Sequence, residues 1–281
     1  MCRIKAQTRR WADIIAPRTW IWEDTYSIGG HNHLNKLLNE VISTRSQVSG
    51  PLYGSLFIFN TQSNTQLGLD GYDNYQAPLD VENNELYKRR MWVGGSIEYL
   101  KLPPVCGDVV VCEENVSSVR CLGPNAFVNI SRNFRKDESM VMKEYRTLLY
   151  TNEPFRENAS RFSETKGFLH SQNIKFSLSQ LMRFNALSYN LHKIHYDAEF
   201  CHQEELKGIV VSGPFLVLAM LHFFSSLHPN TTIQDFRYKN SEPCYVDEGL
   251  IMGINETSRG YTIQVIGDGR LRCGGSVSIA V

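Results

Sequence analysis

The 281-residue sequence lacks most of the patterns that announce a function. It has no C-x-x-C pair, no H-E-x-x-H and no G-x-S-x-G. Those absences argue against zinc ribbons, zincin-type proteases and hydrolases built on a nucleophile elbow. No Walker or Rossmann glycine pattern occurs, so no phosphate-cradling nucleotide loop is expected. Net charge is lacking too. The 29 Lys and Arg balance 29 Asp and Glu, which leaves no global basic field to collect nucleic acid. The seven cysteines are odd in number and scattered, as reduced thiols of an intracellular compartment are, and unlike a disulfide frame. A membrane span is not expected either. The longest apolar run, 208–224, falls short of the roughly 18 residues a span requires, and it contains Ser212, a Gly213-Pro214 pair and His222.

What is present reads as an ordinary globular chain, 42% hydrophobic and 21% charged. The stretch "NHLNKLLNEVI" repeats Leu34, Leu37, Leu38 and Val41 at helical spacing. Four strand-like runs follow: "WVGGSIEYLKL", "GDVVVCEENVSSV", "NAFVNISRNF" and "MVMKEYRTLLYTN". The polar segment 151–167, with Pro154, separates two halves, 23–150 and 168–281. The second half opens with an amphipathic segment, "FSLSQLMRFNALSYN", and reaches a helix capped by Ser212 and Gly213 with Pro214 in its first turn. That helix is apolar on every side from Phe215 to Met220, as a helix surrounded by protein must be. Four strand-like runs complete this half as well. A weak repeat, Tyr99 with Tyr238 and Pro104 with Pro243 at one offset, fits a duplicated unit. The expected class is α+β, a curved antiparallel sheet wrapped on the apolar helix.

One stretch concentrates chemistry. "SYNLHKIHYD", 188–197, holds two histidines, an asparagine and an aspartate just before the apolar helix. His192, His195 and Asp197 include metal-ligand residue types, but without a Cys pair or H-E-x-x-H a metal site is disfavoured. An imidazole with a pKa near 6.5 can exchange protons around neutrality, and the N–H groups opening a helix at Gly213 offer partial positive charge to an oxyanion. Those residues alone leave a structural loop and an acid/base centre both open.

"ALSYNLHKIHYD" followed by "GIVVSGPFL" resembles the hydratase motif of MaoC-like proteins. With "GYDNYQAP", "RRMWVGG" and "FRYKN" in the same order, nearly the whole chain resembles the fungal mitochondrial 3-hydroxyacyl-thioester dehydratase type 2 family. The resemblance implies a double hot dog, two curved antiparallel sheets each wrapped on a helix, with the site in the second half and acyl-chain space in the first. It places the catalytic histidine at His195 and the thioester-polarising glycine N–H at Gly213. The family's aspartate falls on Asn190 and its asparagine on His192, while Ser212 replaces a histidine often seen before the glycine. Asn190 is then expected as the second catalytic residue, with His192, Ser212 and Asp197 around the substrate, and no metal or cofactor is expected. The implied reaction is reversible syn loss of water from a (3R)-3-hydroxyacyl thioester. The implied partners are acyl carrier protein or CoA thioesters, met by Lys88, Arg89 and Arg90, with a homodimer as an assembly option. Two rivals are a mesaconyl-CoA-type dicarboxylic hydratase and a non-catalytic acyl-thioester binding module.

The first 22 residues carry Arg3, Lys5, Arg9, Arg10 and Arg18 against Asp13 alone, interleaved with Ile4, Trp11, Ile14 and Ile15. This pattern fits a mitochondrial presequence as well as an ordinary basic helix, and it contains no secretory apolar region. Residues 1–30 fused to a soluble reporter are expected to direct it to mitochondria. A reporter that stays cytosolic removes the presequence reading.

Overall fold

A computed structural model describes residues 2–43, 51–61, 66–156 and 167–280. Among them ten strands form one antiparallel sheet. The first half supplies α1 (Cys2–Ile15), β1 (Thr19–Thr25), α2 (Ile28–Val41), β2 (Arg89–Tyr99), β3 (Val109–Leu122), β4 (Asn125–Lys136) and β5 (Ser139–Thr151). The second supplies β6 (His170–Ile174), α3 (Leu178–Leu187), α4 (Ala198–Gln203), α5 (Gly213–Leu227), β7 (Ile233–Asn240), β8 (Leu250–Thr257), β9 (Gly260–Gly267) and β10 (Arg270–Ile279). The sheet order is β1-β3-β4-β5-β2-β7-β10-β9-β8-β6, so two five-stranded units meet edge to edge at β2 and β7. Most of the 151–167 segment expected between the halves, 157–166, lies outside the described residues.

The core follows from the apolar periodicity. Every residue of α5 from Pro214 to Ser225 is buried, and α2 turns Leu34, Leu37, Leu38 and Val41 into the same cluster. A helix that can offer no polar face must be enclosed on all sides; here it is enclosed by the curved sheet, α2 and the aromatic rings of Phe176 and Phe184, both about 5 Å from Phe215. No helix among the described residues is long and apolar enough to cross a membrane.

Each half has one strand more than its sequence periodicity indicates. Both extra strands, β1 and β6, are edge strands, where one-sided burial and polar residues blur the alternation that marks an inner strand. The segment 1–22 divides into α1 and the start of β1, so a boundary at 22 falls inside a strand. In α1 the spacing Ile4, Thr8, Trp11, Ile15 forms the inward face; Trp11 and Ile15 are buried, and the Thr8 hydroxyl meets that of Tyr87 at 2.9 Å. Arg3, Arg9 and Arg10 face solvent.

The seam carries the trace of duplication. Ile97 pairs directly with Phe236, and those two are separated by the same number of residues as Tyr99 and Tyr238. A two-fold relation between repeats must pass through such a self-equivalent pair. Close approach at the seam also explains the Gly94-Gly95 pair beside the β2 bulge. A Cβ on Gly94 would stand 2.7 Å from the Tyr238 carbonyl, and one on Gly95 would strike the Tyr145 carbonyl and lie 2.7 Å from the Tyr238 hydroxyl. Gly95→Val is therefore expected to lower stability by at least about 1–3 kcal/mol through overpacking, read as a fall in thermal midpoint; an unchanged midpoint contradicts the seam geometry.

Candidate active site

Much of the polarity in 188–197 serves the chain's own path. α3 ends as the Ser188 hydroxyl donates back to the Phe184 carbonyl at 2.9 Å, and Tyr189 takes a left-handed conformation, φ 54°. Asn190 then uses its side-chain oxygen to accept the His192 N–H at 3.0 Å, an Asx-type turn that reverses the chain. Lys193–His195 form a single 3₁₀ turn. Asp197 caps α4, accepting the Phe200 N–H at 2.9 Å, and does not line the cavity. A cap needs a short acceptor at that position, which Asp197 supplies.

The two imidazoles are buried. The Val210 carbonyl can only accept, so His195 donates Nδ1–H to it, at 2.7 Å, and Nε2 keeps its lone pair. Burial pushes the His195 pKa down to about 4, opposed in part by that hydrogen bond, so the ring is a neutral acceptor at physiological pH. Val210 N–H in turn donates to Ile194 at 2.9 Å, which locks the 3₁₀ turn to the segment leading into α5. His192 stands edge-on to His195, with ring centroids 5.4 Å apart. Its pKa is driven well below the usual imidazole range by burial, then by His195 and by Arg90.

Gly213 opens α5 on the same cavity, and its N–H belongs to the first turn, which has no intrahelical acceptor. Its φ is not left-handed; space is what demands glycine. A Cβ would approach Asn240 Nδ2 to 3.1 Å and Trp92 to 3.9 Å. Ser212 occupies the N-cap position, yet its side chain makes no cap bond and its buried hydroxyl finds no partner among the described residues. It does not line the cavity, though its neighbours Val211 and Gly213 do.

The cavity, about 230 Å³, runs from these groups toward the first half, where Ile130, Leu148, Tyr150 and Trp92 line it. Its roof is the loop 66–88, containing "GYDNYQAP". The Asp70 carbonyl accepts the Lys193 N–H, and Lys193 Nζ donates to the Leu69 carbonyl, both at 2.8 Å. Gly71, at φ 80°, passes so close to the 3₁₀ loop that a Cβ would stand 2.7 Å from the Leu191 carbonyl. Under the roof Arg90 grips both Asp70 carboxylate oxygens, at 2.7 and 3.2 Å, and donates to the Asp73 carbonyl.

Arg90 is therefore no surface contact for a carrier. It is 8% exposed, flanked by the rings of Tyr72 and Tyr150 at 5.2 and 5.7 Å. Arg89 pairs with Glu204, and of the three residues only Lys88 is exposed, at the cavity rim. Sequence reasoning missed Asp70 and Tyr72 altogether. Tyr72 lies in the "GYDNYQAP" stretch and Asp70 just before it; their distance along the chain from the histidines hides their proximity.

Together the groups offer a neutral imidazole base, a second imidazole, an amide and the opening of a helix around one apolar cavity. That set suits proton transfer beside a polarised carbonyl. A model of the family described as hydroxyacyl-thioester dehydratase type 2 matches residues 54–246. The chain is 26% identical over 267 residues to the mitochondrial hydroxyacyl-thioester dehydratase type 2 of Saccharomyces cerevisiae, covering 88% of this chain and 93% of that protein. It is also 26% identical over 206 residues to mesaconyl-C(4)-CoA hydratase of Chloroflexus aurantiacus, covering 69% and 70%. Among solved structures, a MaoC-like dehydratase from Phytophthora capsici superposes with a TM-score of 0.69 at 16% identity, covering 96% and 97%; the two five-stranded units of the sheet are a double hot dog. With a matching family model over most of its length, the chain belongs to the hydroxyacyl-thioester dehydratase type 2 family.

Proposed function

We propose that this protein is a mitochondrial hydro-lyase that interconverts (3R)-3-hydroxyacyl and trans-2-enoyl thioesters, with the site residues acting as follows. The observation that carries the assignment of roles is that His195 lines the cavity Gly213 opens, with Nδ1 bonded to the Val210 carbonyl and Nε2 left as its acceptor nitrogen. His195 Nε2 removes a proton from C2 while the thioester oxygen, held at the start of α5, takes up enolate-like charge against the Gly213 N–H. The C3–O bond then breaks, and the departing oxygen leaves as water with the proton His195 carried, which returns the imidazole to neutral. Syn geometry lets one base serve both atoms. Asn190, through its side-chain N–H₂, and His192 hold the 3-hydroxyl. The first half's apolar lining takes the acyl chain.

For the carrier, Lys88 at the rim, beside the Arg89–Glu204 pair, supports a pantetheine-borne thioester delivered by acyl carrier protein or CoA. The likeness to mesaconyl-C(4)-CoA hydratase favours a second reading, a short dicarboxylic CoA ester as substrate. Rates of hydration of crotonyl-CoA, longer enoyl thioesters and mesaconyl-CoA separate the two. No turnover of any of them would leave a binding module.

His195→Ala is expected to lose about 10²-fold or more in turnover, as removal of a general base does. The pH dependence should identify the base. Because burial depresses the His195 pKa to about 4, the imidazole remains neutral well below pH 6.5. The acid limb of kcat/KM should then fall far below the ordinary histidine range, with activity lost only as pH drops toward 4. A limb centred near 6.5 would mean that a solvated group is the base.

At the helix opening, Gly213→Val is expected to lower kcat on the order of 10²–10³-fold, the cost of one oxyanion donor. Near-normal turnover in a folded variant would remove Gly213 from the mechanism.

A further inference from the structure

A carboxylate from the first half stands behind the histidines of the second. Asp70 is 5% exposed and Arg90 8%, so an ion pair has been taken out of water against the cavity wall. Buried pairs of this kind seldom raise stability over a well-packed apolar substitute, and stability alone therefore does not explain it. The loop that carries Asp70 is already fixed by the Lys193 bonds. Within the loop Asp70 accepts the Tyr72 N–H at 3.1 Å and Arg90 donates to the Asp73 carbonyl; beyond those bonds the pair sets a charged acceptor beside His192, with Asp70 Oδ2 3.5 Å from His192 Nε2. Bonds of this sort in an unliganded site are often long and tighten when substrate binds.

His192 is thus set between Asp70 on one side and His195 on the other. Arg90 stands behind Asp70 and the Tyr72 ring lies 5.9 Å away, while Lys193, next in the chain, directs its charge to the Leu69 carbonyl. A lone carboxylate would favour the imidazolium; Arg90 offsets that charge, so the pair can orient the ring without forcing a proton onto it. An imidazole between two hydrogen-bonding sites has two tautomers, and only one leaves Nδ1 with a lone pair.

We propose that Asp70 is a positioning residue of the dehydratase site. Its carboxylate accepts Nε2–H from His192, fixes that tautomer, and presents Nδ1 to the substrate's 3-hydroxyl. This rests on the dehydratase reading above. It makes the second half's site incomplete without the first half's loop, and it restores a carboxylate to a site whose motif carries Asn190.

The test is a double-mutant cycle in the full-length protein, following crotonyl-CoA hydration. Asp70→Asn is expected to lower kcat roughly tenfold or more with KM changed less than about twofold, because the thioester contacts are untouched. On a His192→Ala background the same change should cost less than about twofold, since the residue it acts through is gone. An equal loss on both backgrounds would overturn the proposal and make Asp70 a packing residue. To separate chemistry from an uncompensated buried Arg90, the neutral pair Asp70→Asn with Arg90→Gln is measured alongside. We expect its thermal midpoint to recover toward wild type while kcat stays low. Recovered kcat in the neutral pair would also overturn the proposal. Absence of hydration by the wild type with every enoyl thioester would instead sink the dehydratase reading, an outcome distinct from either.

Discussion

The hydrogen bond from His195 to the Val210 carbonyl, 2.7 Å long, is the constraint on which the site depends. It fixes which ring nitrogen carries hydrogen, and so leaves the other with its lone pair. It also joins the two pieces of chain that must act together. Val210 lies three residues before Gly213, and its own N–H returns to Ile194, so the base and the opening of α5 move as one body. α5 in turn cannot shift, because every residue from Pro214 to Ser225 is enclosed and a close-packed interior has no slack to offer. Catalytic geometry is inherited from core packing through one carbonyl.

Around the cavity the buried arginines each meet a carboxylate, and the two imidazoles are held neutral. Burial holds His192 and His195 below the ordinary imidazole range. Deeper in the first half, Arg132 bridges Glu114 and Glu144 at 2.8 and 3.1 Å, and Arg146 reaches Glu144 at 2.6 Å. Burial by itself would raise the Glu144 pKa, but Arg146 and Arg132 hold it below the usual carboxylate value. Arg146 also lies over the Trp92 ring, 4.5 Å from its centroid, and both line the cavity. The cavity thus has apolar walls over a compensated ionic layer. Neutral chemistry can proceed there without a free charge pulling on the substrate.

The two halves share a fold but divide the labour. In the second, α5 opens on the cavity and the histidine loop precedes it. In the first, α2 occupies the equivalent place in the wrap, while the loop 66–88 leaves its own sheet and roofs the other half's site. A continuous ten-stranded sheet makes this practicable. Because β2 and β7 pair directly, the loop's anchor at Arg90 lies on a strand of the seam itself.

Periodicity in the sequence by itself determined α2, α3, α5, the eight inner strands and the linking of a histidine pair to a helix start. Each of these is a local pattern: apolar residues recur at the period of the element that buries them, and a glycine–proline pair marks where a helix opens. Tertiary structure alone decided the rest. Edge strands β1 and β6 owe their state to a neighbour's free hydrogen-bonding edge, which no local pattern encodes. "KRR" reads as a basic surface because charge is normally solvated; Arg90 is interior only because Asp70, distant in the loop, supplies a partner. Asp197 reads as a polar neighbour of the substrate, while in the fold its carboxylate caps α4 by accepting the Phe200 N–H. Asp70 itself has no signature beyond being an aspartate, since its meaning lies in a histidine brought to it across the fold. Burial and partnership of a charged group depend on residues far along the chain, and only folding brings those residues together.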